Sequence, residues 1–229
     1  GAYTLPFSNS TRLHASWGTG FKAPNLNDLY WPGSGNPDLD AEESRSYDLG
    51  IEQTFLDGRA VADVTYFNSE VEELISWAPV DPADPWGPWQ PFNVDDADIE
   101  GLEFTLSAEL TEKVGMRANY THTQAEDANT GNRLIRRAKH TGSVVLDWQV
   151  TEKAGLTATV LHVGKRYEDA ANTTELDAYT RLDLAGRMDL KPGWTAYARI
   201  ENLFDEDIEE AMDYGTAGIS AYGGLRVSF

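Results

Sequence analysis

The sequence predicts an all-β protein, an antiparallel up-and-down transmembrane β-barrel, and three observations lead to this fold class. Several windows alternate apolar and polar residues with a period of two, as strands with two different faces do. No window approaches the roughly 18 apolar residues that a membrane-spanning helix needs, whereas a barrel strand needs only about ten alternating residues. The connectors between the windows are short and long in turn, which is typical of barrels with tight turns at one rim and long loops at the other.

The alternation is clearest in the second half of the chain. In TRLDLAGRMDL, the apolar side chains of Leu182, Leu184 and Met188 share one face, and the charged side chains of Arg181 and Asp183 share the other. The windows SVVLDWQV, KVGMRANYTH and EFTLSAEL alternate in the same way. The pattern predicts about ten strands, which begin near Arg12, Ser46, Ala60, Phe92, Val114, Arg136, Leu156, Tyr179, Trp194 and Ile219.

The connectors carry the strongest signal for the topology. The short ones, LDGR, TEK, TEKAG and KPG, contain the residues that tight reversals require. The long ones are polar and separate every second pair of strands. A soluble meander or sandwich would have to bury its apolar faces in a second layer, and no helix or second set of strands is apparent for that purpose. With no clear linker or internal repeat, residues 1–229 are predicted to form one domain.

Composition excludes several classes of function. The formal net charge of -20 is a poor match for nucleic-acid backbones, and 41% hydrophobic residues argue against intrinsic disorder. The chain has no cysteine, which excludes disulfides and thiolate metal sites.

No catalytic or metal site is predicted. The four histidines, His14, His122, His140 and His162, fall on separate predicted strands or strand starts and show none of the pairings of zinc sites or catalytic triads, so we interpret them as structural. The acidic groups near residues 81–84, 95–98 and 205–207 lack the spacing of an EF-hand and are interpreted as solvated loops. Because no nucleophile elbow, phosphate loop or metalloprotease motif is present, the chain is predicted not to be an enzyme and to need no cofactor.

Seven stretches, in order along the chain, resemble TonB-dependent outer-membrane receptors. Each is degenerate alone, but together they cover almost the whole sequence. Within this family, LIRRAK, LDWQ and ENLFDED are similar to the branch that transports cobalamin (vitamin B12). The seven stretches are SWGTGFKAPNLNDLY, GNPDLDAEESRSYDLGIEQ, NVDDADIEGLEFTLSAEL, RRAKHTGSVVLDWQ, VGKRY, RIENLFDED and YGTAG.

The resemblance implies a domain arrangement and a function. Family members carry a TonB box, a plug domain and a barrel of twenty-two strands, so residues 1–229 are expected to be the C-terminal part of such a barrel, with plug and TonB box absent. The implied function is uptake of a scarce large nutrient, cobalamin or a metal chelate such as a siderophore, energised by TonB through the plug. The alternatives are a small porin-like or structural barrel without a specific ligand and, from a third class, a soluble acidic β-protein.

Two groups of residues are candidates for ligand binding. By resemblance, Arg136 in LIRRAK is expected to contact the ligand with Arg137 beside it, and the alternative is that both pair with carboxylates. DLYWPG and DPWGPWQPF place Trp31, Trp86 and Trp89 on proline-rich loops, where they suit a large, partly apolar ligand. The alternative for the tryptophans is an interfacial aromatic girdle or packing between loops.

The segment AYGGLRVSF resembles the signal by which the barrel-assembly machinery recognises its clients. The signal residues would be Tyr222, Gly224, Val227 and Phe229. With this signal, the resemblance implies a cell outer membrane location with lipid around the apolar faces, the C-terminus in the periplasm and the long loops outside the cell.

Overall fold

The structure is a computed structural model that describes residues 1–7, 10–81, 83–84 and 86–228. Within this part of the chain the secondary structure is almost entirely strand, with one five-residue helix, α1 (Leu26–Tyr30), and one 3-10 turn, Leu56–Gly58. No helix of the described residues is long and apolar enough to cross a membrane. The strands are β1 Ala2–Pro6, β2 Thr11–Lys22, β3 Glu42–Phe55, β4 Ala60–Pro79, β5 Trp89–Thr111, β6 Val114–Asp127, β7 His140–Thr151, β8 Ala154–Val163, β9 Arg166–Tyr167, β10 Glu175–Leu176, β11 Tyr179–Lys191, β12 Trp194–Glu201, β13 Glu209–Ala211, β14 Tyr214–Gly215 and β15 Ser220–Val227.

Eleven of these strands form one antiparallel sheet in the order β1-β2-β3-β4-β5-β6-β7-β8-β11-β12-β15. The remaining four form two small hairpins, β9 with β10 and β13 with β14, within the long connectors. Each strand of the large sheet pairs with its neighbours along the chain, which confirms the predicted up-and-down topology. Since β1 and β15 lie at opposite edges, the described residues form part of a barrel that is not closed.

The structure differs from the predicted strands in three places. β1 was not predicted; it pairs with β2 and makes the sheet eleven strands wide rather than ten. β7 begins at His140 rather than near Arg136, because residues 128–139 leave the sheet to contact another loop. The helix and the two loop hairpins were also not predicted.

One face of the sheet is an almost continuous apolar band. The register places Val64 of β4, Phe104 of β5 and Tyr120 of β6 side by side on this face. Large side chains of the band are solvent-exposed in the isolated chain, with Leu49 61% and Leu102 50% accessible. An exposed apolar surface of this extent needs a partner, and it matches the lipid-facing band of an outer-membrane barrel.

The opposite face carries polar side chains that pair with one another across strands. His14 Nε2 lies 2.7 Å from the Asp63 carboxylate, which also accepts a 2.7 Å hydrogen bond from the Thr65 hydroxyl. Farther along the sheet, Arg117 donates to Asp147 at 2.7 Å. Such a polar face corresponds to the interior wall of a barrel.

The connectors segregate to the two ends of the strands, as predicted. The short turns at residues 112–113, 152–153 and 192–193 lie at one end, and Gly193 adopts a φ of 78° that favours glycine. The long connectors therefore share the other end of the sheet, where side chains far apart in sequence come together.

Candidate ligand-binding loops

The long connectors form two groups at their end of the sheet. The hairpin cluster consists of residues 23–41 and the outer part of the β4–β5 hairpin, residues 73–93. The arginine cluster consists of residues 128–139, 164–178 and 202–219. The first contains the predicted tryptophans and the second contains the predicted arginines, so the structure assigns the two sets of candidate residues to different clusters.

Helix α1 fixes the start of the hairpin cluster. The Asn25 side chain caps it by accepting hydrogen bonds from the backbone N–H groups of Asn27 (2.8 Å) and Asp28 (3.0 Å). Asp28 completes a capping box by accepting from the Asn25 backbone N–H at 3.2 Å. Asp28 is buried and also accepts a 3.1 Å hydrogen bond from Trp77 Nε1 of β4. One carboxylate thus both caps the helix and joins it to the hairpin.

Further hydrogen bonds hold residues 23–41 against the β4–β5 hairpin. The Asn36 side chain donates to the Pro91 carbonyl at 3.0 Å, and the Gln90 side chain donates to the Gly35 carbonyl at 3.1 Å. Asn93 donates to the carbonyl oxygens of Asp40 (3.2 Å) and Glu73 (2.7 Å). These bonds brace the loop against a strand pair that extends well beyond the rest of the sheet.

The hairpin cluster presents aromatic surface to solvent. Trp86 is 80% exposed and Trp31, directly after α1, is 53% exposed. Trp89 is the first residue of β5 and is 37% exposed. Trp31 and Trp86 are therefore exposed on the loops, whereas Trp89 lies at the base of its loop, and a ligand contact by any of the three stays a prediction.

Arg136 is the central residue of the contact between residues 128–139 and 164–178. Its guanidinium donates to the Glu168 carboxylate through Nε, at 3.0 Å, and through Nη2. Its backbone N–H donates to the Tyr167 carbonyl at 2.7 Å, and its φ of 56° lies in the left-handed region. The hydrogen bond to Glu168 raises the pKa of Arg136. The Arg136 side chain thus has a carboxylate partner, as the alternative interpretation of the arginines proposed, and is still half exposed.

Asn172 provides a second link between the same two loops. Its side chain accepts a 2.7 Å hydrogen bond from the Arg133 backbone N–H and donates a 2.9 Å bond to the Arg133 carbonyl. Asn132 donates to the Ala170 carbonyl at 2.9 Å, and the Arg133 guanidinium lies 5.5 Å from the centre of the Tyr167 ring. The loops are therefore cross-braced along their length.

Arg166 anchors the arginine cluster from below and was not singled out in the sequence. It is 2% exposed, and its guanidinium donates to the backbone carbonyls of Asp177 (3.3 Å) and Glu209 and approaches the Glu210 carboxylate at 3.5 Å. Its Cζ atom lies 5.5 Å from the centre of the Tyr179 ring. Arg166 therefore joins residues 164–178 to residues 202–219. The sequence does not distinguish Arg166 from the adjacent basic residue Lys165, whose side chain is exposed.

Asp169 closes the turn that carries Asn172. Burial tends to raise its pKa, but hydrogen bonds from Thr173 and Thr174 outweigh burial and lower it. The Thr174 backbone N–H donates at 2.6 Å, and the Thr173 backbone N–H and hydroxyl each donate at 3.1 Å. The carboxylate is therefore held in its charged form.

Arg137 differs from Arg136 in being available. Its backbone carbonyl accepts a 3.2 Å hydrogen bond from Arg133 Nη2, which holds the main chain. Its side chain is exposed, and its guanidinium has no hydrogen-bond or carboxylate partner among the described residues. Held by a braced loop and unpaired, this guanidinium is free to bind an acceptor on a ligand.

The predicted assembly-signal residues lie on β15, except Phe229, which is outside the described residues. Tyr222 lies under the Arg199 guanidinium at 4.5 Å, Gly224 is opposite Tyr197, and Val227 is opposite Trp194. These residues thus have packing roles in the last strand pair.

Comparisons with known proteins identify the family of the chain. The family model described as TonB dependent receptor-like, beta-barrel matches residues 2–203. The vitamin B12 transporter BtuB of Photobacterium profundum is 37% identical over 233 residues, which cover 100% of this chain and 37% of the relative. The same transporter of Vibrio vulnificus is 38% identical over 91% of this chain and 32% of the relative.

Solved structures give the same architecture. A mutant ferric enterobactin receptor of Pseudomonas aeruginosa superposes with a TM-score of 0.78 at 26% identity, covering 100% of this chain and 39% of the receptor. The copper transporter OprC superposes with a TM-score of 0.84 at 17% identity, over 100% of this chain and 38% of OprC, and this similarity concerns the fold alone.

The chain spans about a third of the length of the curated relatives it matches. Those relatives are transporters, which confirms the prediction that the chain is not an enzyme. TonB-dependent receptor barrels are outer-membrane proteins, in agreement with the exposed apolar band. On the family match over residues 2–203, the chain belongs to the TonB-dependent receptor β-barrel family.

Proposed function

We propose that residues 1–229 are the C-terminal part of the barrel of an outer-membrane receptor that takes up a scarce large nutrient. Cobalamin is the preferred ligand, and a metal chelate such as a siderophore is the second. The 37% identity to a vitamin B12 transporter along the whole chain supports the first, and the 26% identity to a ferric enterobactin receptor supports the second.

The observation that carries the proposal is the presentation of Arg137, with Arg136 beside it, on cross-braced loops. A large polar ligand binds best to donors that are already in place, because less conformational entropy is lost on binding. The exposed rings of Trp31 and Trp86 on the neighbouring cluster supply apolar surface at the same end of the sheet. A nutrient with acceptor groups and an apolar body fits this combination.

The proposal also assigns the two ends of the barrel. The long loops face the outside of the cell, the C-terminus lies in the periplasm, and lipid surrounds the apolar band. The barrel-assembly machinery would recognise Tyr222, Gly224, Val227 and Phe229. Transport would require a plug domain and TonB box outside residues 1–229, through which TonB acts.

The test is cobalamin binding and uptake by the full-length receptor that contains this chain, in cells with and without TonB. Arg137→Ala and Arg136→Ala are each expected to weaken cyanocobalamin binding by about 10- to 100-fold, since one charge-assisted hydrogen bond contributes about 1.5–3 kcal/mol. Lys153→Ala, which removes a basic residue from a turn at the opposite end, is the matched control and should bind normally.

Three results would count against the proposal. Unchanged affinity in both arginine variants would remove the arginine cluster from the site. Uptake that continues without TonB would contradict the coupling. Ion conductance in planar bilayers without any saturable binding of cobalamin or ferric siderophores would favour the porin-like alternative.

A further inference from the structure

Two histidines that are 18 residues apart in sequence meet on the apolar face of the sheet. His122 of β6 and His140 of β7 are direct partners in the strand register. Their Nδ1 atoms are 3.4 Å apart, and their ring centres are 4.8 Å apart with an angle of 44° between the planes. In the sequence the four histidines fall on separate strands without a pairing, and only the register of β6 with β7 brings these two together.

The distance between the two nitrogens is that of two ligands on one metal ion. Zinc binds imidazole nitrogen at about 2.0–2.1 Å with tetrahedral angles, which places two such nitrogens about 3.3–3.4 Å apart. We propose that His122 and His140 form a binding site for a divalent transition-metal ion, Zn²⁺ in the first instance, with water in the remaining coordination positions. The site lies on the wall of the barrel and is separate from the loops that bind the nutrient.

The neighbours of the pair on its face become polar towards the loops. On the same face of β6, Tyr120 precedes His122 towards the apolar band, and Gln124 and Glu126 follow it towards the loops. His140 is solvent-exposed and is the first residue of its strand. His122 is also the register partner of Leu102, and the next row outward on this face pairs Glu100 with Gln124. The pair therefore lies level with the last row of the apolar band, next to the polar end of the strands.

Without metal, one nitrogen has two neighbours. The Tyr120 hydroxyl lies 2.7 Å from His140 Nδ1, the same atom that faces His122 Nδ1. A neutral imidazole nitrogen has a single lone pair or a single proton, so it cannot satisfy both neighbours fully. A metal ion would take the lone pair of each Nδ1 atom and replace a crowded hydrogen-bond arrangement with two coordinate bonds.

His162 provides an internal control. It lies on β8, next to β7, but its Nδ1 atom is 2.9 Å from the Thr180 hydroxyl of β11. No group of three or more His, Cys, Asp or Glu side chains in the described residues is arranged to hold a metal, so the proposed site has two protein ligands. Imidazole ligands favour zinc, copper and nickel over the oxygen-preferring Mg²⁺ and Ca²⁺.

The experiment is isothermal titration calorimetry, in which ZnCl₂ is added to the full-length receptor purified in detergent. The variants are His122→Gln, His140→Gln and the control His162→Gln, each first checked for heat-modifiable migration to establish that the barrel is folded. We expect the wild type to bind one Zn²⁺ that is absent from both site variants, or is bound at least tenfold more weakly, and retained in His162→Gln. Because the ion joins two strands of the folded state, the wild-type unfolding temperature should rise with ZnCl₂ and not with MgCl₂.

A second measurement keeps the proposal testable if other histidines of the receptor bind zinc. Co²⁺ replacing Zn²⁺ should give a visible absorption band whose intensity falls by one metal equivalent in His122→Gln and in His140→Gln. Equal stoichiometry in the wild type and both variants, or an equal loss in His162→Gln, would overturn the site.

Discussion

The ring of Tyr197 lies across Gly224, its direct partner on the neighbouring strand. A Cβ atom on residue 224 would be 2.4 Å from the Tyr197 hydroxyl oxygen and 2.5 Å from its ring carbon Cζ. No Cβ contact is normally that short, so glycine at 224 leaves the space that the ring occupies. A residue proposed as part of an assembly signal is thus also required for packing in the last strand pair.

Gly224→Ala should destabilise the barrel, since the added methyl group forces the Tyr197 ring out of place. A loss of about 1 kcal/mol in the free energy of unfolding is expected, the low end for overpacking because the half-exposed Tyr197 ring can move aside, and urea unfolding of the full-length receptor measures it. Gly223→Ala is the matched control, because its Cβ would meet only the Tyr197 carbonyl oxygen at 3.6 Å.

The double variant Gly224→Ala with Tyr197→Ala separates packing from assembly. The alanine at 224 should cost little once the ring is gone, so a cost equal to that in the wild type would contradict the steric argument. If the double variant is stable when refolded but still inserts slowly into the outer membrane in cells, the assembly machinery recognises Gly224 itself.

Exchanging the charges of Arg136 and Glu168 should separate loop packing from ligand binding. Arg136→Glu alone places two carboxylates together and should loosen residues 166–174, while the double variant with Glu168→Arg restores an ion pair. Because the pair is half exposed, the stability recovered is only about 0.2–1 kcal/mol, and hydrogen exchange of residues 166–174 is the suitable measure. Cobalamin binding should stay weak in the double variant; full recovery would mean that Arg136 serves only to fix the loop.

Arg166→Met should loosen the whole arginine cluster. The substitution preserves much of the apolar stem but leaves the carbonyl oxygens of Asp177 and Glu209 without their donor, at a cost of about 1–3 kcal/mol each. We expect faster proteolysis within residues 202–219 as well as 164–178. Lys165→Met, at the exposed neighbouring position, is the control, and equal proteolysis in the two variants would refute the anchoring role.

Asp169 should make the 169–174 turn sensitive to strong acid only. Since its pKa in the folded state is lowered, the carboxylate contributes stability that is fully present above the unfolded pKa of about 3.9. That contribution disappears as the pH falls through the lowered folded pKa. A spin label at Ala171→Cys should stay immobile down to pH 4 and become mobile below it, whereas with Asp169→Asn added it should be mobile at every pH. An onset of mobility above pH 5 in the parent would contradict the lowered pKa.

The strands of the sheet could be predicted because their signal is local. Alternation along TRLDLAGRMDL depends only on neighbouring residues, and the register of β11 agrees with it, with Leu184 beside Ala158 and Ile200 and Asp183 beside Thr159. The start of β7 could not be predicted from LIRRAKH, because Arg136 has a left-handed backbone held by contacts to residues about thirty positions later. Local alternation does not record such contacts.

The candidate site was predictable in part for the same reason. The tryptophans among prolines and the two adjacent arginines, Arg136 and Arg137, can be found in the sequence. The burial of Arg166 beside an exposed Lys165 depends on where residues 202–219 pack. The meeting of His122 with His140 depends on strand register, since a shift by one residue would move one ring to the other face.

Glu73 interrupts the long β4–β5 hairpin. At about 3.3 Å per residue, the 20 residues of β4 extend about 65 Å, roughly twice the length of a membrane-crossing strand. Glu73 has a φ of 58° within this strand, so the extended backbone is interrupted about two-thirds of the way along. The hairpin is therefore two extended lengths that meet at one irregular residue, and the outer length depends on its hydrogen bonds to residues 23–41 for support. Hydrogen exchange along β4 should show protection that drops beyond Glu73 and stays high before it.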